Sequence, residues 1–308
     1  MSIPDFMLEA LPAGKEPPDE RAPEPKAGET ADRPKREPVP FVAGVFEDMP
    51  AEQYFAVEAM SQSGAKEMLR SPMHYRYARD NPQEPTAAMR FGTAVHTGVL
   101  EPELFDSTVV AMPAVDRRTA AGKAAYAAFM AAAAGKVVLS QADFDRARRC
   151  IDAVGRHPAA KALLAGATVE TSLFWIDAKY HVPCKARIDA RNHGGLIDLK
   201  TTTDASRDEW PRAAAGWGYH LQAANYFSGC EHLLDATPEF FAHVVVESEA
   251  PHGVAVYAMP GNAIMAGAAR MNEALRLYAD AMRSGYWTGY PSTIETFTFP
   301  RWATRADF

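Results

Sequence analysis

Two short runs near the middle of the chain carry the residues best able to do chemistry: Lys185-Ala186-Arg187-Ile188-Asp189 and Ile197-Asp198-Leu199-Lys200. Between them stands Asn192-His193-Gly194-Gly195, whose residue types favour a tight hairpin turn. Side chains alternate along a strand, so Asp198 and Lys200 share one face and Ile197 and Leu199 the other. On the partner strand Asp189 shares its face with Arg187 and Lys185. The hairpin can therefore bring Asp189 close to Asp198 and Lys200. Two carboxylates at one point repel unless a cation lies between them. A hard divalent ion such as Mg²⁺ accepts one or two carboxylates plus water and substrate phosphate. A lysine beside it can position or deprotonate an attacking water, or stabilise charge on the phosphate. Together these residues form the equipment for metal-assisted phosphodiester hydrolysis. Taken alone, an Asp-x-Lys triplet fits an ordinary ion pair on a solvated hairpin equally well. The upstream Asp189 and the apolar setting of Asp198-Leu199-Lys200 favour the chemical reading.

Three further positions bear on it. His96 lies in Phe91-Gly92-Thr93-Ala94-Val95-His96-Thr97-Gly98. A lone histidine on an apolar helix is more often a satisfied core residue, but its small neighbours here allow close approach. Gln222 and Tyr226 are one helical turn apart and share a face; they form either one polar pair of an amphipathic helix or a pair aimed at the metal and phosphate. Glu170 precedes the hairpin on a strand-like run; a surface carboxylate is the simpler reading, and orienting a ligand is the other.

The elements that must position these residues follow from pattern. Ser61 can cap a helix running to about Leu69, ended by Ser71-Pro72. A helix over 85–100 should turn Met89, Val95 and Val99 to the core. The alanine-rich stretch 119–134 reads as a helix stopped by Gly135. Ser140-Gln141-Ala142-Asp143 resembles a capping box opening a helix to about Arg156. Strands are expected over 168–176, 184–191 and 195–201, then a helix over 218–234. A strand pair over 240–247 and 253–259 comes next. The last helix should bury Ile264, Ala268, Met271, Leu275, Tyr278 and Met282. That order predicts an α/β or α+β core with a mixed sheet between helices.

Composition sets outer limits. The 308 residues are 47% hydrophobic and 23% charged, ordinary for a soluble globular protein. No run of apolar residues is long enough to span a membrane. The start of the chain lacks a basic segment followed by an apolar one, so a cytoplasmic location is expected. Cys150, Cys184 and Cys230 are widely spaced, and without a Cys-x-x-Cys pair they suggest reduced thiols rather than a zinc knuckle or iron–sulfur cluster. The net charge of -7 argues against a passive DNA-coating role. It is compatible with a nuclease, whose metal-holding acids add negative charge. Residues 1–40 are rich in Pro and charge and read as a disordered tail, leaving 41–308 as one catalytic domain.

His96, Asp189, Asp198-Leu199-Lys200 and Gln222-x-x-x-Tyr226, in that order, resemble the RecB-like subgroup of PD-(D/E)XK nucleases. Further stretches narrow the likeness to the C-terminal nuclease domain of RecE-type exonucleases (exonuclease VIII). They include Ser61-Gln62-Ser63-Gly64-Ala65-Lys66, Ser71-Pro72-Met73-His74-Tyr75 and Gly92-Thr93-Ala94-Val95-His96 leading into Leu100-Glu101-Pro102. Arg118-Thr119-Ala120-Ala121-Gly122-Lys123, Asp198-Leu199-Lys200-Thr201-Thr202, Tyr219-His220-Leu221-Gln222 and Pro300-Arg301-Trp302-Ala303 complete the set, and the similarity covers about residues 50–304. The resemblance implies a restriction-endonuclease-like core, a mixed central sheet flanked by helices. It implies that Asp189, Asp198 and His96 hold Mg²⁺, or Mn²⁺ in its place, helped by the Leu199 carbonyl. Lys200 would act on the attacking water, and Gln222 and Tyr226 would line the site. The activity implied is degradation of the 5′-ended strand of linear duplex DNA, leaving 3′ overhangs. A ring-shaped homo-oligomer such as a tetramer, a single-strand annealing partner of the RecT type, and a phage or prophage source in a bacterial host belong to the same expectation. Lys66, Ser71 and Arg76 are candidates for a 5′-phosphate pocket on charge and position. Two alternatives remain open: a RecB-like nuclease of CRISPR adaptation or helicase-associated type, and a non-catalytic DNA-binding recombination module.

Overall fold

The hairpin forms the centre of the molecule. In the computed structural model, which describes residues 39–234 and 237–299, β5 (Pro183–Asn192) and β6 (Gly195–Thr202) are antiparallel, with Asn192 facing Gly195 and Ala190 facing Ile197. The two turn residues both have positive φ, 50° at His193 and 75° at Gly194. That is the backbone twist that continues two right-twisted strands through a two-residue loop. A Cβ on Gly195 would stand 2.1 Å from the Phe240 ring, so a larger residue here would force that ring to move. The expected tail up to residue 38 and the motif at 300–303 lie outside the described residues.

Six strands form the main sheet in the order β1-β4-β5-β6-β7-β8. The outer four are β1 (Gly44–Phe46), β4 (Thr168–Ile176), β7 (Phe240–Glu247) and β8 (Val254–Ala258). Neighbours are antiparallel except β6 and β7, which run parallel. A parallel pair needs a crossover, and two helices provide it: α9 (Trp210–Trp217) and α10 (Tyr219–Leu233). Only the second was expected. Pro211 looks like a breaker, but it occupies the first turn of α9, where its missing N–H costs nothing.

Helices cover both faces, as the mixed-sheet expectation required. On one side α2 (Gln62–Arg70), α10 and α11 (Gly261–Ser284) pack on Ile188, Leu196 and Phe241. On the other, α4 (Ala87–Leu100), α5 (Pro102–Thr108) and α7 (Gln141–Arg156) pack on Ile197, Leu199 and Val244. The caps read from the sequence at Ser61 and Ser140 are in place, and Thr119 adds a third. Ser61 accepts the Gly64 N–H, Thr119 that of Gly122 ahead of α6 (Ala120–Ala132), and Ser140 that of Asp143.

Two expected faces are corrected. Met89 is 58% exposed rather than in the core. On α11 the buried seam is Gly267, Met271, Ala274, Leu275 and Ala281, while Ala268 and Met282 are exposed. The cause is a helix crossing: a Cβ on Gly267 would lie 1.9 Å from the His220 carbonyl oxygen, so α10 can approach only over that glycine. Three-residue strands β2 (Val109–Ala111) and β3 (Val137–Leu139) pair separately in parallel; they are too short to show a period. Among the described residues no helix is long and apolar enough to cross a membrane.

Candidate active site

The site forms where the central sheet opens. Pairing between β5 and β6 ends at Ala190–Ile197, whereas β6 and β7 remain paired as far as Thr202–Glu247. Just past that end, the Asp189 carboxylate accepts the Leu199 N–H at 2.8 Å. The same place interrupts alternation. Ala190 and Val169 pack with one core, but Ile188 and Leu173 belong to the other. On β4 the intervening residue is Glu170, with φ 51°. The backbone therefore changes face at Glu170 and Asp189, and groups from both helical layers reach the gap.

From one layer, α4 delivers His96, whose Nε2 is 2.7 Å from the Leu199 carbonyl oxygen and 3.4 Å from Asp189 Oδ2. From the other, α10 delivers Gln222, whose Nε2 donates to Asp198 Oδ1 at 2.7 Å and to the Tyr226 hydroxyl at 2.9 Å. Lys200 Nζ is 2.5 Å from Asp198 Oδ2, close enough for an ion pair but poorly aligned for a hydrogen bond, so that oxygen has no hydrogen-bond partner. The structure thus brings together His96, Asp189, Asp198, Leu199, Lys200, Gln222 and Tyr226. Of these, His96, Asp189, Gln222 and Tyr226 line a cleft of about 410 Å³, together with Glu101, Glu170 and Ser61, while Asp198, Leu199 and Lys200 are not among its lining residues.

Electrostatics separate the two acids. Burial, reinforced by the Asp198 charge, pushes Asp189 up to about 7. Burial would also raise Asp198, but the adjacent Lys200 ammonium outweighs it and holds that carboxyl below the usual range. For Lys200 burial favours the neutral amine, yet the charges of Asp198 and Asp189 prevail and lift it above an ordinary lysine. Burial keeps the Tyr226 phenol protonated. One acid thus shares a lysine's charge while the other is poised to exchange a proton or a cation.

The other candidates fare differently. Glu170 is tied to the Arg187 guanidinium, which also donates to the Met49 carbonyl at 2.7 Å and to Ser172 Oγ at 2.9 Å. The simpler reading as a surface carboxylate is thereby corrected: Glu170 belongs to the cleft wall. Lys66 donates to the Trp217 carbonyl at 3.4 Å, with its ammonium 5.0 Å from that ring. Ser71 caps α3 (Pro72–Asp80), and Arg76 pairs with Asp80 at 2.6 Å. None of these three lines the cleft, whereas Ser61, Gln62 and Ser63 from the start of α2 do. All three cysteines are buried and free.

Two residues escaped the sequence reading. Glu101, at the end of α4, turns back into the cleft five positions after His96, and burial together with the Glu170 charge raises its carboxyl. A glutamate at the helix end just beyond a candidate ligand was the available signal. His243 lies across from Asp198 in the β6–β7 ladder and carried no signal in its apolar run.

Residues 61–298 match the family described as PDDEXK-like domain of unknown function (DUF3799), and the chain belongs to that family. Its architecture is the mixed, helix-flanked sheet of that fold. Among solved structures, a candidate exonuclease from Eubacterium rectale aligns over 85% of this chain and 99% of that chain, with a TM-score of 0.55 and 14% identity. At that identity the likeness concerns fold alone. The structure of SSO0001 aligns over 62% of this chain and 85% of that chain at 16% identity, with a TM-score of 0.26, too low to bear on the fold. No curated protein matches the chain.

Proposed function

We propose that this protein is a metal-dependent DNA nuclease of the RecE type, degrading the 5′-ended strand of linear duplex DNA to leave 3′ overhangs. The observation that carries the nuclease reading is the meeting of His96 Nε2, Asp189 Oδ2 and the Leu199 carbonyl beside the Asp198–Lys200 pair. The PDDEXK-like family supports it. Strand polarity and the RecE assignment rest on the sequence resemblance.

The residues fit a hard divalent cation by their chemistry. An imidazole nitrogen, a carboxylate and a backbone carbonyl converge, and a second carboxylate has a buried oxygen without a hydrogen bond. Among the described residues no three His, Cys, Asp or Glu side chains already stand as a complete metal-holding group, and Asp198 is engaged by Gln222 and Lys200. His96, Asp189 and the Leu199 carbonyl would hold Mg²⁺ or Mn²⁺, and Asp198 would join once Lys200 turns away. Such a cation supplies positive charge to polarise the scissile phosphate. Lys200 keeps its proton on Nζ and acts as a donor, orienting the attacking water or stabilising the phosphate oxygens. Gln222 fixes Asp198 from the side opposite Lys200, and Tyr226 stays protonated as a donor at the cleft wall.

The test is direct. Asp198→Ala should remain folded and lose Mg²⁺-dependent digestion of linear duplex DNA; retained digestion removes the proposed site. A 5′-labelled duplex should release its label at once, and a closed circular duplex should survive. The same reading carries a ring-shaped homo-oligomer and a RecT-type annealing partner, checked by light scattering and by co-purification.

A further inference from the structure

On the far side of Asp198 from the cleft stands a histidine that the mechanism above does not use. β6 and β7 run parallel with Asp198 directly across from His243, and the two side chains share a face. His243 Nε2 is 3.8 Å from Asp198 Oδ2. Both atoms are buried and lack a hydrogen-bond partner among the described residues. Aromatic rings enclose the imidazole: Phe241 at 5.0 Å, Trp210 at 5.2 Å and Tyr219 at 5.5 Å between centroids. The ring cannot turn to water, so it stays aimed at the acid. Leaving the His243 nitrogen buried without a hydrogen bond costs stability, and an apolar side chain would fill the same aromatic box without that cost.

We propose that His243 is a positioning residue for Asp198, donating from Nε2 to Oδ2 when Lys200 leaves that oxygen for the substrate. In the present arrangement Lys200 occupies Oδ2 at 2.5 Å. If Lys200 serves the water or phosphate, Oδ2 loses its nearest cation while the acid must keep its orientation toward the metal. His243 needs to close by about one ångström to reach normal hydrogen-bond length. A neutral imidazole does this without competing with the divalent ion for charge. Partners of this kind orient a ligand from behind and tune its affinity.

The inference rests on the nuclease reading, and the experiment separates the two. Full-length wild type, His243→Phe and His243→Gln are titrated with MnCl₂ and followed by thermal shift, then assayed on linear duplex DNA. His243→Phe should match or exceed the wild-type melting temperature in EDTA. It should also need about ten- to a hundred-fold more Mn²⁺ for half of the metal-induced shift. His243→Gln, whose amide nitrogen reaches the same place, should recover most of that affinity. An unchanged Mn²⁺ midpoint in His243→Phe overturns the inference. So does equal weakening in both variants, which would assign the effect to ring packing. If His243→Phe does not fold, His243→Met takes its place in the same titration, and the same two outcomes overturn the inference. A wild-type protein with neither a Mn²⁺ shift nor cleavage overturns the nuclease reading, and this inference with it.

Discussion

The Asp189 carboxylate takes the Leu199 N–H at 2.8 Å, just past the last paired residues of the β5–β6 ladder. The acid stands in for a backbone acceptor, and that substitution locks its orientation. It also leaves the Leu199 carbonyl facing His96 at 2.7 Å. One hydrogen bond thus links the end of strand pairing to the assembly of the candidate metal-binding groups.

Asp189 should weaken the metal-free fold at neutral pH. Its folded pKa, raised to about 7, lies above the unfolded value of about 3.9. Between these values the folded state binds more protons, so the stability this group provides is complete below about pH 4 and is lost as pH rises through about 7. An asparagine side chain in its place would keep an oxygen for Leu199 and never ionise. Asp189→Asn should therefore unfold at higher denaturant than wild type in EDTA at pH 8. The gap should shrink towards zero near pH 4. Denaturant melts across that range check it; a pH-independent gap contradicts the assigned ionisation.

Lys200→Met should keep the fold and lose cleavage. A positioned proton-transfer or donor group contributes about 10²–10⁴ in rate, so kcat should fall by that order while DNA binding in Ca²⁺ persists. Single-turnover kinetics on a linear duplex measure it. Metal affinity should hold or rise, since Asp198 is relieved of its lysine.

His96→Ala should lower the response to divalent ions. Removing one ligand weakens a small oxygen-rich site, so the thermal shift produced by Mn²⁺ should move to at least about ten-fold higher concentration. Isothermal titration provides a second reading. No change would mean that His96 serves only its bond to the Leu199 carbonyl.

Gly267→Ala tests the α10–α11 crossing. The added methyl would sit 1.9 Å from a backbone oxygen of His220, and backbone cannot swing aside as a side-chain tip can. Overpacking of this kind costs about 1–3 kcal/mol or more, read as a drop in melting temperature. Gly155→Ala is the control. It meets no atom within 4 Å and lies inside α7, so it should be neutral or stabilising.

Much of this molecule is determined locally. The Asn192-His193-Gly194-Gly195 turn, the caps at Ser61, Thr119 and Ser140, and the alternation of Asp198 and Lys200 follow from backbone preferences within a few residues. They place the hairpin and mark the acids and lysine without reference to any distant part of the chain. The crossing of α11 over α10, the exposure of Met89 and the short α9 were not legible, because they depend on which distant surface each helix meets. The end of the β5–β6 ladder is of the same kind: nothing in Ile188-Asp189-Ala190 says that pairing stops there. That break lets α4 bring His96 from one layer and α10 bring Gln222 from the other. Glu101 enters the cleft, and His243 stands behind Asp198, only because a helix end turns back and a parallel strand falls into register. Local chemistry chose the residues, and long-range packing between sheet and helices decided which of them meet.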